Sequence, residues 1–165
     1  MKAIDTHILA RFFINDPDDA EAVRQRPSAV AALSERAFVS VTVLLEFEWV
    51  MRGFYGFARS DVDRAIRALA SMEQVSIEDR GAVLVALDAF IQGLDFADAL
   101  HLARSSRASA FLTFDRRLAK RANRLTMTPP VELLALSIAS PLARYESARA
   151  LPGVRPSRKP QIWLR

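Results

Sequence analysis

Short apolar runs that end on polar residues alternate along this chain with longer stretches whose apolar positions recur every three or four residues. The short runs are KAIDT (2–6), AFVSVT (37–42), QVSIED (74–79), ASAFLTF (108–114) and the weaker PVELL (130–134). Their β-branched character and length predict buried strands, the first ending at Asp5 or Thr6. Helical spacing fills the gaps. Residues 17–26 and 27–36 predict two short helices, with Pro27 at the first position of the second. Leu44 to about Gly53 predicts another, Ser60 a cap for DVDRAIRALASM, and Asp79 a cap for RGAVLVALDAFIQ, which Gly93 stops. Strands alternating with helices imply crossover connections, hence an α/β domain around a central, mainly parallel sheet of four to five strands. No internal repeat is visible.

The periodicity stops near residue 138. From there four of the eight prolines are interleaved with six Lys/Arg against one acid, Glu146. Residues 1–138 read as one domain and 139–165 as a basic, proline-containing extension. Such a tail is more often a solvated appendage than an RNA-contacting or partner-contacting arm, although Trp163 near its end hints at docking. The net charge of +4 therefore reflects the tail, and the domain before it is slightly acidic.

With 165 residues and 51% hydrophobic content, the chain suffices for a single core. The absence of cysteine excludes disulfides, thiolate catalysis and thiolate-bound zinc, and fits a reducing cytoplasm. His7 and His101 alone cannot build a multi-histidine zinc site. Any metal would need oxygen ligands. No segment reaches the roughly 18 apolar residues of a membrane helix, and the N-terminus carries no apolar leader, so a soluble cytoplasmic protein without membrane partners is expected.

Ligands of open parallel sheets bind beyond the carboxyl ends of the strands. Asp5 and Asp115 fall there, and Glu46 falls at or near the first turn of the helix after the second strand. In GLDFADALH, Asp95 suits an N-cap, and Asp98 lies three residues on, on the same side of the first turn. Capping alone accounts for Asp95. If the topology holds, Asp5, Glu46, Asp98 and Asp115 gather from four distant parts of the chain, which requires protons or a cation among them. Carboxylate ligands suit Mg²⁺ or Mn²⁺, and such ions serve phosphodiester hydrolysis. Thr6 and Thr113 flank the acids and can orient them, or are ordinary strand threonines. His101 reads as a core histidine before a general base.

After Asp115 the chain turns basic. If 116–124 is a helix, Arg117, Lys120, Arg121 and Arg124 form one stripe beside the acidic edge, suited to tracking RNA phosphates or simply to facing solvent. The aromatic group Phe12, Phe13, Phe47, Trp49, Phe54, Tyr55 and Phe57 is mostly core by expectation. The glycine-punctuated WVMRGFYGF leaves room for a groove or a dimer contact.

Taken together and in this order, AIDTHILARFF, VSVTVLLEFEWVM, GLDFADALHLA and FLTFDRRLA resemble the PIN-domain ribonucleases, in particular the VapC-type toxins of bacterial toxin–antitoxin pairs, over residues 1 to about 135. The resemblance implies a three-layer α/β fold and an endoribonuclease dependent on Mg²⁺ or Mn²⁺. It makes Asp5, Glu46, Asp98 and Asp115 the catalytic metal site, with Asp95, Thr6 and Thr113 in support. It also implies an RNA substrate, a homodimer and a small cognate antitoxin over an apolar groove. His7 stands where many members have asparagine, and the tail is longer than usual. Two other classes compete: a non-catalytic RNA- or protein-binding module on the same scaffold, and an aspartyl-phosphate enzyme. The latter commonly has a second aspartate two residues after the first, where this chain has His7.

Overall fold

Every strand among the described residues is short and runs parallel to its neighbour. The structure, a computed structural model, describes residues 1–135. The order is β1 (Lys2–Ala3), α1 (Thr6–Phe13), α2 (Ala20–Ser34), β2 (Ala37–Val39), α3 (Val41–Trp49), a π-helical turn (Val50–Phe54), α4 (Arg59–Ser71), β3 (Val75–Ile77), α5 (Arg80–Ile91), α6 (Phe96–Arg104), β4 (Phe111–Thr113), α7 (Arg116–Arg124) and β5 (Val131–Leu133). The expected α/β class holds: parallel strands in sheets flanked by seven helices. The strands divide, however, into a three-stranded sheet ordered β1-β2-β3 and a separate β4-β5 pair. Ala3 pairs with Phe38, Val39 with Ile77, and Thr113 with Leu133.

This division has a local reason. β1 spans two residues, both exposed, and of the run 2–6 only Ile4 and Thr6, which lie beyond it, are buried, so the expected buried strand shrinks to an exposed edge. β4 is also only partly covered, with Leu112 57% exposed.

Other elements begin where side chains cap them. Ser40 closes β2 and caps α3 through its Oγ to Val43 N–H, so Thr42 is helical and Glu46 lies in the second turn rather than the first. Helix α4 starts earlier than expected, with Ala58 rather than Ser60 at its N-cap. Asp61 reaches back to accept from Ala58 N–H at 3.0 Å, the half of a capping box that needs no oxygen on the N-cap side chain. Asp79 does occupy the cap position of α5, but in the left-handed region (φ 49°) and without a capping bond, because its carboxylate faces Arg104 Nε at 3.2 Å.

The two helices expected over 17–36 are one, α2, with Pro27 in its interior. The ring removes the hydrogen bond to the Val23 carbonyl. Val23 and Pro27 both lie on the exposed side, where water can replace it, while Ala22, Ala29 and Leu33 bury the other face.

A continuous core joins these helices to the three-stranded sheet. Leu9, Leu33, Leu44, Phe47, Ile66, Leu69, Leu87, Phe90, Phe96 and Leu102 are essentially inaccessible. Phe90 and Phe96 meet edge-on across the α5–α6 turn at 5.6 Å, which sets the direction in which α6 begins. No helix among the described residues is long and apolar enough to cross a membrane. The tail beyond 138, Trp163 included, lies outside the described residues.

Candidate active site

Three of the sequence-selected aspartates are helix N-caps, and each spends only one oxygen on that task. Asp5 Oδ1 accepts from Ile8 N–H at 3.0 Å at the start of α1. Asp95 Oδ1 accepts from Ala97 N–H at 3.0 Å at the start of α6. Asp115 Oδ1 accepts from Arg117 and Leu118 N–H at 2.7 and 3.1 Å at the start of α7. Each cap fixes a carboxylate beyond a strand or turn, leaving Oδ2 for something else. At Asp5 that oxygen lies 3.8 Å from His7 Nδ1, and both side chains are largely exposed.

Two groups of residues result. In the first, the Thr6 hydroxyl donates to Glu46 Oε2 at 2.5 Å. Thr6 is 3% exposed and is the one buried polar residue among those described. Its neighbour Asp5 comes from the end of β1 and Glu46 from α3, so the bond ties two strand-following helices together. In the second group, Asp98 is half-buried in the first turn of α6 and its carboxyl is pushed above the usual 3.8. Burial is the largest cause, followed by the charges of Asp95 and Asp115. Thr113 Oγ1 accepts from Asp115 N–H at 2.9 Å, a local turn that orients the acid at the end of β4.

The donor set fits a hard divalent cation by its chemistry: oxygens only, with the charges of Asp95 and Asp115 close enough to act on the Asp98 carboxyl. As they stand, no three His, Asp or Glu side chains among the described residues are grouped tightly enough to enclose an ion. His101, expected in the core, is exposed on α6. It lies three residues after Asp98, and its charge acts to lower the Asp98 carboxyl.

Helix α7 shows the expected basic stripe. Arg117, Lys120, Arg121 and Arg124 are exposed while Leu118, Ala119 and Ala122 are buried. None of the four makes an ion pair among the described residues. Arg121 Nη1 donates to the Gly93 carbonyl at 3.1 Å.

Sequence reasoning missed Arg59. Its Nη1 donates to the carbonyls of Phe90 and Leu94, at 2.9 and 2.5 Å, and its guanidinium lies 4.6 Å from the Phe90 ring centroid. Arg59 and Arg121 thus hold from two sides the turn that aims Asp95 and Asp98. A cation 31 to 35 residues from its acceptors leaves no local pattern. The exposure of Trp49 and Phe54, 63% and 72%, was likewise not separable from core aromatic content.

No curated protein matches the chain. A family model described as the PIN domain matches residues 2–124, the span that contains every cap, acid and threonine described above. With most of its length covered by that match, the chain belongs to the PIN domain family, whose members are generally metal-dependent nucleases.

Proposed function

We propose that this protein is an endoribonuclease that hydrolyses RNA phosphodiester bonds with Mg²⁺ or Mn²⁺ held by Asp5, Glu46, Asp98 and Asp115. We propose further that it acts in the cytoplasm as the toxin of a toxin–antitoxin pair. The observation that carries the nuclease reading is the half-buried Asp98, crowded by Asp95 and Asp115 at a helix start in a PIN-family chain. Such crowding favours a cation between the acids. When bound, a divalent ion supplies charge neutralisation at the scissile phosphate and a water of lowered pKa.

The chain's own residues do the rest. Thr6 holds the Glu46 carboxylate, the caps hold Asp5 and Asp115, and Asp95 adds negative charge beside Asp98. The α7 cations bind flanking phosphates without reading sequence. A homodimer and a small cognate antitoxin complete the proposal, supported by the resemblance of the four sequence blocks to VapC-type toxins. Residues 1–138 would carry the nuclease and 139–165 form an appendage.

The purified protein, freed of any partner, is expected to cleave single-stranded RNA with Mg²⁺ or Mn²⁺ and to stop with EDTA. Asp5→Asn and Asp98→Asn should each reduce cleavage by more than about 100-fold while retaining the helical circular-dichroism signal. Undiminished cleavage by either variant, or cleavage in EDTA, would count against the site. RNA affinity without cleavage and without metal dependence would identify a binding module instead. Expression should arrest bacterial growth, and co-expression of the neighbouring gene should relieve the arrest.

A further inference from the structure

Two aromatic side chains that the fold leaves in solvent border the cleft that holds Glu46. Trp49 follows Glu46 by one helical turn on α3, and Phe54 closes the π-helical turn that follows. They are 63% and 72% exposed, although the chain buries Phe47, Phe90 and Phe96 completely. Both line one cleft of about 340 Å³ together with Thr6, His7, Arg11, Glu46 and Tyr55. The cleft is therefore continuous with the Thr6–Glu46 pair.

Local geometry keeps the indole there. A Cβ on Gly53 would stand 3.3 Å from Trp49 Cε2 and Nε1, so the ring lies along backbone that only glycine leaves uncrowded. Phe54 stands edge-on to Tyr55 at 4.9 Å, and Tyr55 is fixed by donating its hydroxyl to Asp16 at 3.1 Å. Rings pre-set in this way lose little side-chain freedom when a planar partner arrives.

From this we infer that Trp49 and Phe54 form a base-stacking subsite for single-stranded RNA next to the scissile phosphate, a reading that rests on the proposed nuclease activity. Continuity with Glu46 favours a nucleobase as the occupant: a strand whose phosphate lies at the acids must place its neighbouring bases within reach of this cleft. Arg11, paired with Asp19 at 3.1 Å, lies in the same wall, so the cleft adds little net charge there and its rings are what it offers a base. Stacking accepts any base, so the subsite would select unpaired strands over duplex without fixing sequence.

Replacing Trp163 with Phe leaves Trp49 as the sole tryptophan and its emission as the reporter. The probes are a labelled ten-nucleotide oligoribonucleotide and an abasic strand of equal length and charge, titrated with Ca²⁺ in place of Mg²⁺. The base-bearing strand should quench Trp49 saturably and the abasic strand should not. Trp49→Ala and Phe54→Ala should each weaken binding of the base-bearing strand by about 5- to 100-fold, leaving abasic affinity within about twofold. Both sites are exposed, so the variants should fold.

Anisotropy showing the strand bound with Trp49 emission unchanged, and with affinity unaltered by either variant, overturns the subsite and leaves the nuclease reading intact. Shielding of Trp49 by the neighbouring gene's protein, with no response to bases, also overturns it and assigns the cleft to a protein partner. A chain that neither binds nor cleaves RNA overturns both readings.

Discussion

Replacing Thr6 with Val would separate stability from metal affinity. The hydroxyl of this 3%-exposed residue donates to Glu46 Oε2 at 2.5 Å. Valine fills the same volume, so no cavity opens and the loss is confined to one hydrogen bond. A bond to a charged acceptor contributes about 1.5–3 kcal/mol, but Glu46 is exposed and its carboxylate regains water once released. The added methyl group also suits the apolar surroundings. The net cost should fall near 0.5–1.5 kcal/mol, a fall in Tm of roughly 2–5 °C for a chain of this size.

The effect on metal dependence should be larger. A partner that orients a ligating carboxylate typically contributes 10- to 100-fold in metal affinity. Cleavage measured against Mn²⁺ concentration should therefore show the half-activating concentration raised by about that factor in Thr6→Val, with Thr6→Ser close to the parent. A half-activating concentration unchanged in Thr6→Val, alongside the expected loss of stability, would refute the argument. Thr6 would then be a structural tie between α1 and α3 and would not orient a ligating carboxylate.

Three further outcomes can be stated. Because the Asp98 carboxyl is raised by burial and by Asp95 and Asp115, its contribution to stability is full below 3.8 and is lost as pH rises through the folded-state value. Metal-free Asp98→Asn should thus melt higher than the parent at pH 7, with the gain vanishing below pH 3.8 in a thermal scan. Arg59→Met removes two bonds to the Phe90 and Leu94 carbonyls and a cation–π contact, and should cost about 2–4 kcal/mol by urea denaturation. Changing Arg117, Lys120 and Arg124 together to Gln should lower the slope of log affinity for single-stranded RNA against log salt by roughly 2, read by anisotropy.

Period and punctuation carried the sequence reading far. Capping chemistry is local, so Asp95 and the start of α7 at Asp115 were legible from a few residues each. The core strands β2 and β3 were legible because β-branched runs bounded by polar residues permit little else. The misplaced features depend on burial or on competing caps that a run of residues does not record. Pro27 sits inside α2 because one face of that helix is solvated, and nothing within the two predicted halves records which face that is. Thr42 was assigned to a strand because its β propensity says nothing of the Ser40 cap two residues earlier. The division of the strands into two sheets depends on what covers Lys2, Ala3 and Leu112. Of the site, the identities of the acids were visible, but the Thr6–Glu46 bond spans 40 residues and the Arg59 clamp spans 31 and 35.

The same caps that made the acids legible also bear on the chemistry. A free surface carboxylate rotates, and ordering it on a cation costs side-chain entropy at the moment of binding. Here the backbone N–H groups of α1, α6 and α7 have already ordered Asp5, Asp95 and Asp115 through one oxygen each. Asp98 makes no such bond among the described residues, and burial first and the charges of Asp95 and Asp115 second raise its proton affinity, so it is the acid whose charge a cation would recover most. Asp98→Asn should accordingly abolish metal-induced thermal stabilisation, whereas Asp95→Asn, which keeps an acceptor for Ala97 N–H, should only weaken it.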